Sequence, residues 1–475
     1  MKSTTDKRGG ISLGGSYNVV QHNTIRDNGK GSNSFLDGKP FFSDPTRYAI
    51  NQEDSYGDNC IIRNNLIYGS NHGILVGCYS IQIENNHIYN IDSIAINLYS
   101  LLYANIRGNV MNNCPTTIGF MTTDFRNALV NILENSFQGG KFSVDATDSY
   151  QVNVANNHFV DVDSIYLGSS TINKSFYSNR IKYDQVSGTP SISAYKIENC
   201  IFDSTTVRDF LIRVYNQKGC TFHNLRISLQ TQNGATKREK ILIYDCEYTN
   251  STLINLIFGT KDREVSISNS KFTDTVVKVG NINTVGFPAT TTLENCELYS
   301  ATMSYLFATD FNQPSGMIKL SHCRIEIANS SFAHLIHHDK TAGISSVFTL
   351  FLKDSSLKYT GTAPLDFIYY NNINPMIQLI SANNEYINIH LPVEDPGIFV
   401  GYDPTNTYKT SVILQQTSDG YSATITHNLK TLDPYVLCTT LKSEMVQPLI
   451  SIVDENSLLI KTIGSSILKV TIKKV

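Results

Sequence analysis

Residues 63–111 read RNNLIYGSNHGILVGCYSIQIENNHIYNIDSIAINLYSLLYANIRGNVM, and one short unit recurs within them. The unit is Asn, one variable residue and then an apolar residue, and it places Asn65, Asn86 and Asn109 at steps of 21 and 23 residues. Before each Asn, apolar and polar residues alternate with the period of a half-buried β-strand. A period in the low twenties built from short strands indicates a solenoid in which each repeat forms one coil.

The Asn column extends from this stretch over most of the chain and defines about 15 candidate coils. Its members are Asn23, Asn65, Asn86, Asn109, Asn135, Asn157, Asn179, Asn199, Asn224, Asp245, Asn269, Asn295, His322, Asp354 and Asn384. Stacked coils lie about 4.8 Å apart, so equivalent residues fall above one another. Asn also tolerates the left-handed conformation of a tight turn. The column is therefore interpreted as a structural ladder in a parallel β-helix.

A Cys follows the column residue in four later coils, at Cys200, Cys246, Cys296 and Cys323. Because this position recurs with the coil, it indicates stacked interior packing, and it lacks the CxxC pairs of a zinc site. The chain has nine Cys, so not all of them can pair within one chain. We expect most to be free and buried, and we predict no metal and no cofactor.

The sequence pattern changes near residue 402. Regular coils fade after about residue 395, where LPVEDPGIFVGYDPTNTY is rich in Pro, Gly and Asp. Short alternating segments such as YSATITHNL and ILKVTIKKV follow. The prediction is a β-helix over residues 1–401 and a small β-sandwich-like domain over residues 402–475.

Composition excludes several classes of function. The net charge of −3 gives no general attraction to nucleic acid or to an anionic membrane. No apolar run approaches the roughly 20 residues that span a bilayer, so no membrane insertion is expected. The phosphate-loop, dinucleotide-binding, nucleophile-elbow and HExxH motifs do not occur, which disfavours nucleotide chemistry and zinc proteolysis.

The repeat resembles the pectate-lyase-like right-handed β-helix superfamily over about residues 9–395. The segment that begins with THNL at residue 426 resembles the closing domains of phage tail fibres and tailspikes. Together they imply an all-β fold, a right-handed parallel β-helix formed as a single-stranded solenoid and followed by a small C-terminal β-sandwich-like domain. They also imply a bacteriophage tailspike or appendage protein, located on the virion tail, that acts on a bacterial surface polysaccharide at the host cell surface.

The same resemblance implies the partners of the chain. Tailspikes of this kind form parallel homotrimers, and their terminal domain assists trimerisation or receptor contact. They join the phage tail particle through an N-terminal region, whereas here a coil-like GGISLGG begins at Gly9. Attachment to the rest of the particle is therefore expected through an N-terminal region that this sequence lacks. The resemblance further implies glycoside hydrolase or polysaccharide lyase activity.

An insertion separates the first two Asn of the column, which are 42 residues apart. It carries aromatic and charged side chains, among them Phe42 and Arg47, which suit sugar rings and their acidic substituents. We predict that both residues bind substrate. The alternative is a solvated surface loop or a subunit-contact loop.

Carboxylates follow the strand YAINQ directly, at Glu53 and Asp54. Glycoside hydrolysis needs one carboxyl group as acid and a second as base or nucleophile, whereas a lyase needs a base and a cation. We predict Glu53 as acid or base and either Asp54 or Asp92 as its partner, with His72 as a further catalytic candidate. The alternative is that these carboxylates accept backbone N–H groups in turns.

Three more residues extend the predicted substrate groove. Asn97 and Tyr99 occupy the strand positions of Asn51 and Glu53 one or two coils later, and we expect them to face outward into the same groove. Asp124, in FMTTDF, extends the groove by one sugar or forms an Asx turn. The motif AHLIHHD at residues 333–339 is interpreted as surface or subunit-interface histidines rather than a metal site.

Two functions remain open. One is a polysaccharide depolymerase, and the other is a non-enzymatic receptor-binding or structural spike that holds a cell-wall or capsular glycan. A secreted bacterial pectate-lyase-like or epimerase-like enzyme is disfavoured by the phage-like C-terminus.

Overall fold

The structure is a computed structural model in which the chain forms two compact units, Met1–Ala235 with Ile241–Ser251 and Thr236–Lys240 with Thr252–Val475. It describes residues 10–27, 35–36, 39–40, 48–52, 58–99, 101–121, 128–144, 151–167, 174–185, 188–229, 239–257, 263–281, 289–309, 315–328, 334–338, 347–361, 365–366, 368–370, 376–382, 384–390, 398–401, 407–413, 415–417, 420–426, 434–439, 445–446, 449–454, 457–462 and 467–474. These residues form strands and turns and contain no α-helix. Accordingly, no helix among them is long and apolar enough to cross a bilayer.

The first unit consists of three stacks of parallel strands, and each coil passes through the three stacks in turn. The first stack contains Ile11–Leu13, Tyr48–Gln52, His72–Val76, Ile94–Tyr99, Thr116–Met121, Lys141–Ser143 and Ser164–Tyr166. The second contains Val19–Gln21, Cys60–Arg63, Ser80–Glu84, Tyr103–Arg107, Leu129–Leu133, Gln151–Ala155, Lys174–Tyr177 and Glu239–Tyr244. The third contains Thr24–Arg26, Leu66–Tyr68, His87–Tyr89, Val110–Asn112, Ser136–Gln138, His158–Val160, Arg180–Tyr183 and Glu247–Thr249.

Longer strands bend from one stack into another in the later coils of this unit. They are Ser191–Glu198, Ile201–Lys218 and Thr221–Leu229. Ile201–Lys218, for example, pairs with Arg180–Tyr183 at its start and with Ser191–Glu198 further along. A separate antiparallel pair joins Phe35–Leu36 to Lys39–Pro40.

The second unit contains three stacks of the same kind. The first stack contains Thr252–Ile257, Val276–Asn281, Phe307–Thr309, Ile336–His338 and Ile368–Tyr370. The second contains Arg263–Ser268, Ala289–Glu294, Ser315–Ser321, Val347–Lys353, Met376–Ala382 and Ile398–Gly401. The third contains Lys271–Thr273, Glu297–Ser300, Arg324–Ile327, Ser356–Tyr359 and Glu385–Ile387. Leu365–Asp366 pairs separately with Ile389–His390.

Two small antiparallel sheets complete the second unit. One joins Thr407–Ile413, Ile467–Lys474, Pro434–Thr439 and Met445–Val446, and the other joins Gln415–Thr417, Gly420–Thr426, Ser457–Thr462 and Leu449–Asp454. Side chains from both sheets share one buried cluster, including Ile425, Cys438, Leu458 and Val470. The predicted all-β solenoid with a small antiparallel C-terminal part is therefore confirmed. The number of coils and the boundary near residue 402 stay predictions.

The interior of each coil is filled by columns of like side chains. In the third stack of the first unit, Phe222 lies between Phe202 and Tyr248 with ring centroids 4.9 Å apart on each side. All three rings are at most 1% exposed. Burying an aromatic side chain of this size stabilises the fold by about 1.5–3 kcal/mol. Because such columns repeat from coil to coil, the apolar period in the sequence becomes a continuous core.

The Asn column of the sequence corresponds to two adjacent positions in the coil. The interior position holds Asn23, Asn65, Asn86, Asn109, Asn135, Asn157 and Asn179, each of which accepts or donates along one ladder of side-chain amides. The residue before it has a positive φ, as in Asn64 at 55° and Asn85 at 53°. We call this positive-φ residue the outer position. From Asn199 onward, most members of the predicted column occupy the outer position. The exceptions are Asn224, which lies in a different turn, and Asn384, which occupies the interior position. The single predicted column is therefore wrong, because Asn suits both the left-handed turn and the ladder.

Cysteine takes the interior position in the later coils. The Sγ atom of Cys200 donates to the carbonyl oxygens of Glu198, at 3.2 Å, and Phe176, at 3.8 Å. Those two acceptors correspond to the ones that Asn109 Nδ2 uses, Arg107 at 3.2 Å and Ile83 at 2.8 Å. The Cys thiol thus donates to the same two backbone carbonyl positions as the Asn amide, from a more apolar side chain. This equivalence explains why Cys recurs with the coil.

All nine Cys are buried thiols outside any disulfide, so we expect the native protein to resist thiol reagents. Burial raises the pKa of Cys114 to about 11 and that of Cys438 to about 11. Because the thiolate is the reactive form, neither should react at pH 8 in the folded chain. A colorimetric thiol titration should detect no fast-reacting group in native protein and nine in guanidinium chloride. Any thiol that reacts within the mixing time of native protein would contradict this burial.

Candidate functional site

Three predicted carboxylates follow first-stack strands in the sequence, at the corner of the first unit where the chain passes from the first stack to the second. Glu53 and Asp54 follow the first-stack strand Tyr48–Gln52, and Asp124 follows the first-stack strand Thr116–Met121. Because these strands are stacked, the connections that leave them begin at the same edge of the first stack. The sequence-predicted carboxylates at 53 and 54 and at 124 therefore follow equivalent strands that are three coils apart.

Several of these residues lie outside the part of the chain that the structure describes. They are Phe42, Arg47, Glu53, Asp54 and Asp124. The strand that leads to Glu53 is held firmly up to its last residue, since Gln52 is fully buried and its carbonyl oxygen accepts from the N–H of Gly77 at 2.7 Å. Tyr99 is described by its backbone, which pairs with Met121.

A buried polar cluster occupies the first stack near the start of the strands that lead to this corner. The rings of Tyr48 and His72 stack with centroids 4.6 Å apart at an angle of 22°. The Nδ2 atom of Asn97 donates to the Tyr48 hydroxyl at 2.9 Å. The structure thus brings His72 and Asn97 together through Tyr48, and we call these three residues the Tyr48 cluster.

Burial corrects one expectation about this cluster. Asn97 was expected to face outward into an open groove with Asn51, and the register does place both in one column through Leu75. Yet Asn97 is only 3% exposed, and Asn51 is 7% exposed. His72, predicted as a catalytic candidate, is 1% exposed. Alternation along a strand predicts which face a side chain occupies, but other parts of the fold decide whether solvent reaches that face.

The Tyr48 cluster contains one buried hydrogen-bond acceptor that has no donor among the described residues. The Oδ1 atom of Asn97 is buried and accepts no hydrogen bond from the described residues. A buried acceptor without a donor costs about 1–3 kcal/mol. Asn97 lies opposite Gly119 in the next coil, where a Cβ atom would stand 3.6 Å from this oxygen. The amide is therefore positioned by Tyr48 on one side and meets a residue without a side chain on the other.

Asp92 lies in the turn before the strand Ile94–Tyr99 and is exposed. Its backbone N–H donates to the carbonyl oxygen of Ser70 at 3.0 Å, and the next N–H, of Ser93, donates to Asn71 at 3.0 Å. These bonds stack the turn directly on the turn that precedes His72. Among the predicted carboxylates, Asp92 is the one that the structure describes, and its side chain is accessible to solvent.

Sequence reasoning missed two features of this region. Tyr48 was not predicted, although it occupies the same strand position as His72 and pairs with it in register. The second feature is a column of neutral polar side chains on the outer face of the second stack, formed by Gln82, Asn105, Asn131, Asn153 and Ser175 in successive coils. We call it the amide column. The recurrence of a polar residue between two buried aliphatic ones, as in SIQIE and LVNIL, was the available signal.

The amide column is partly exposed, and one hydrogen bond joins two of its members. The Nδ2 atom of Asn153 donates to Asn131 Oδ1 at 2.9 Å, and Asn105 Nδ2 donates to Glu84 Oε1 at 3.5 Å. Each member lies about 4.8 Å from the next. The face therefore presents amide donors and acceptors at a regular interval on a rigid support, directly after the corner that carries the predicted carboxylates.

The histidines of AHLIHHD form a pair in the second unit. The Nε2 atom of His334 and the Nδ1 atom of His337 are 3.1 Å apart, and the ring of Tyr305 stacks on His337 with centroids 4.8 Å apart. Within the described ranges, no group of three or more His, Cys, Asp or Glu side chains could hold a metal ion. His334 is 8% exposed, which contradicts the surface alternative for this residue, and the subunit-interface alternative stays a prediction.

The chain is similar to right-handed β-helix proteins and to phage tailspikes. Residues 9–181 match the family described as "Right handed beta helix region". No curated protein matches the chain. A variant of the tailspike protein of E. coli bacteriophage HK620 in complex with a pentasaccharide is 9% identical with a TM-score of 0.31, and the match covers 98% of this chain and 84% of that one.

Two similar structures come from phages of Acinetobacter baumannii. The Gp54 tailspike of bacteriophage AP22, in complex with an A. baumannii capsular saccharide, is 9% identical with a TM-score of 0.26, over 90% of this chain and 69% of that one. The tailspike of bacteriophage Fri1, a capsular polysaccharide depolymerase, is 11% identical with a TM-score of 0.21, over 83% of this chain and 79% of that one. The resemblance to right-handed β-helix proteins expected from the sequence is thus confirmed.

Proposed function

We propose that this chain is a phage tailspike that binds a bacterial surface polysaccharide and cleaves it at the corner between the first and second stacks. The observation that carries the proposal is the amide column. A polysaccharide is a periodic ligand rich in hydroxyl groups, and the column is a periodic surface of neutral donors and acceptors. An amide both donates to and accepts from hydroxyl groups without the desolvation cost of a charge.

Cleavage rests on the carboxylates of the corner. In this proposal Glu53 protonates the leaving glycosidic oxygen or removes a proton, and Asp54 acts as the second carboxylate. Asp92, the other predicted partner, lies in the turn before its first-stack strand, at the opposite end of the strands from this corner. If the polymer contains uronic acid, the same base removes the proton at C5, next to the uronate carboxyl group, and a cationic side chain, Arg47, stabilises that carboxylate. A C4–C5 double bond forms as the glycosidic C4–O bond breaks, and the leaving oxygen takes up a proton. Phe42, Tyr99 and Asp124 hold neighbouring sugars.

The Tyr48 cluster fixes, from their starting ends, the first-stack strands that lead to the corner. Its stacked rings and the bond to Asn97 fix the strands that begin at Tyr48, His72 and Ile94 relative to one another. Carboxylates that follow such strands start from a rigid base, which limits the geometry that the reacting groups can adopt. His72 therefore acts as a positioning residue in this proposal, because its side chain is buried.

The assembly belongs to the same proposal. The chain forms a parallel homotrimer on the virion tail, residues 402–475 assist trimerisation or receptor contact, and an N-terminal region joins the spike to the rest of the particle. Sedimentation should give a species of three times the chain mass of 52.9 kDa. A stable monomer at micromolar concentration would contradict the trimer.

Polysaccharide depolymerisation can be tested on the purified chain. Incubation with a panel of capsular, exopolysaccharide and wall-teichoic polymers should release new reducing ends from at least one polymer. Ultraviolet absorbance of an unsaturated product would identify a lyase, and its absence a hydrolase. The double variant Asn131→Ala/Asn153→Ala should bind the responsive polymer about tenfold more weakly, because two hydrogen bonds to hydroxyl groups are lost. Unchanged affinity would remove the amide column from the proposal.

Glu53→Gln should lower the cleavage rate about 10²–10⁴-fold, the usual contribution of a general acid or base. Binding of the polymer should stay unchanged, because glutamine keeps the size of the side chain. The control is Glu247→Gln, the same chemical change at an exposed third-stack position, which should cleave at the wild-type rate. Turnover by Glu53→Gln at the wild-type rate would exclude Glu53 from the mechanism.

A receptor-binding spike without enzymatic activity is the second candidate. The burial of His72 favours it, since one of the four predicted catalytic groups does not contact solvent. Binding of a polymer without the release of reducing ends across the whole panel would establish this alternative.

A further inference from the structure

A polar pocket lies in the second unit, far along the sequence from the predicted carboxylates. It has a volume of about 440 Å³, within the range of small-molecule sites, and its lining comprises His322, Cys323, Arg324, Asp354, Ser355, Ser356 and Glu385. Three successive coils contribute to it, and the contributing residues lie at the turn into the third stack. Nothing in the sequence pattern predicted this pocket.

The backbone of the pocket is fixed from the inside. The N–H of Cys323 donates to Ser355 Oγ at 3.0 Å, and the N–H of Ser355 donates to Asn384 Oδ1 at 2.9 Å. The N–H of Glu385 donates to the carbonyl oxygen of Ser355 at 2.9 Å. These bonds continue the interior ladder, so the outer side chains of the same turns project from a rigid support.

The outer turn position changes its chemistry at this pocket. In the second unit it is Asn269 and then Asn295, both with positive φ, but in the next two coils it is His322 at 53° and Asp354 at 47°. Histidine gains no conformational advantage over asparagine in the left-handed region. Ionisable residues also occupy this position at Glu134 and Asp245, so what distinguishes His322 and Asp354 is that they lie in two successive coils and line one pocket.

Donors and acceptors alternate across the floor of the pocket. Arg324 pairs in register with Ser356, and Ser356 pairs with Glu385, so a guanidinium, a hydroxyl and a carboxylate follow one another at about 4.8 Å. At the rim, His322 Nε2 lies 3.6 Å from Asp354 Oδ2. The side chains of His322 and Arg324 remain 53% and 70% exposed, so both are accessible to a ligand.

We propose that this pocket binds one saccharide unit through a pair of neighbouring hydroxyl groups. The carboxylates of Glu385 and Asp354 accept hydrogen bonds from the sugar hydroxyl groups, Arg324 donates to sugar oxygens, and the Ser356 hydroxyl donates or accepts. The polar lining does not suit an apolar ligand, and cationic and anionic groups occur together, which suits a neutral sugar better than a polyanion. The choice of a saccharide rests on the proposed function, and the pocket is a second binding site for the same class of polymer.

The test uses the full chain and defined probes, the methyl glycosides of glucose, galactose, mannose and N-acetylglucosamine. Saturation-transfer NMR should detect binding of at least one probe with a dissociation constant on the order of 1 mM, as expected for an open pocket. Glu385→Gln and Arg324→Ala should each weaken that binding about tenfold, because each removes a charged hydrogen-bonding group.

Glu247→Gln serves as the matched control. Glu247 begins a third-stack strand, as Glu385 does, and its N–H likewise donates to a carbonyl oxygen of the preceding coil, that of Cys220 at 2.9 Å. This variant should bind the probe as the wild type does. Binding unchanged in both pocket variants, or no binding of any probe by the wild type, would overturn the proposal.

The saccharide pocket and the proposed function can fail independently of each other in these experiments. If the wild type binds a methyl glycoside in this pocket but neither binds nor cleaves any polymer, the tailspike proposal fails and the saccharide pocket stands. If the wild type cleaves a polymer and no probe binds the pocket, the pocket fails and the depolymerase stands.

Discussion

Asn109→Ala should lower the free energy of unfolding by about 4–6 kcal/mol, because it interrupts the interior ladder in the middle of the first unit. Asn109 is fully buried, and its Oδ1 atom accepts from both the N–H of Asn86, at 2.9 Å, and Asn86 Nδ2, at 3.0 Å. Its Nδ2 atom donates to the carbonyl oxygen of Ile83 at 2.8 Å and to Asn135 Oδ1 at 3.0 Å. Alanine leaves several of these buried partners without a hydrogen bond, each at about 1–3 kcal/mol.

Two variants accompany Asn109→Ala in chemical denaturation followed by circular dichroism. Asn105→Ala, on the outer face of the adjacent strand, removes only a 3.5 Å contact with Glu84 and should cost less than about 1 kcal/mol. Asn109→Cys should fall between the two, because a thiol at this position donates as Cys200 does but leaves Asn86 without its acceptor. Equal midpoints for Asn109→Ala and Asn105→Ala would refute the structural role of the ladder.

Gly73→Ala should prevent folding or cost more than about 4 kcal/mol. A Cβ atom at Gly73 would overlap the backbone carbonyl oxygen of Ala95 in the next coil. That carbonyl belongs to a stacked strand with buried neighbours on both sides, so it cannot move without displacing further coils. The change also lies next to His72, so any partial accommodation should disturb the Tyr48 cluster.

Gly119→Ala is the control for this steric argument. Gly119 lies in the same stack, but a Cβ atom there would meet Ile94 Cγ2 at 3.5 Å and Asn97 Oδ1 at 3.6 Å, which are ordinary contacts. We expect a change of less than about 1 kcal/mol, and a small gain from the reduced entropy of the unfolded chain is compatible with the geometry. The yield of soluble protein and the denaturation midpoint distinguish the two variants. If both variants unfold at the same denaturant concentration, the short distance between a Cβ atom at Gly73 and the Ala95 carbonyl oxygen does not destabilise the fold.

Much of the fold was predictable because its determinants are local. Ile81 and Ile83 alternate with polar residues, and this alternation predicts a strand with one buried face. The pattern recurs with a period in the low twenties of residues, which predicts stacked coils. The burial of the Cys column also followed from its recurrence with the coil. These features depend on spacing within one coil, which a single sequence displays directly.

The candidate site was predictable only in part. The position of Asp92 in an exposed turn before a strand agrees with its sequence context, and the carboxylates at 53, 54 and 124 follow equivalent strands. Tyr48 and Asn97, however, are 49 residues apart and meet only because the coils stack in one register. The burial of Asn97 could not be predicted from the alternation of apolar and polar residues. Alternation predicts the face of the strand on which a side chain lies, but not which other residues cover that face.

The sequence by itself determined the repeat, the strand pattern, the interior apolar columns and the change of pattern near the C-terminus. Tertiary structure decided which of two adjacent Asn positions forms the ladder, which polar residues join the Tyr48 cluster, and that His322, Asp354 and Glu385 share one pocket. The physical reason is that periodicity is a property of neighbours along the chain. Contacts between coils depend on register, and the irregular number of residues in each turn hides that register from the sequence.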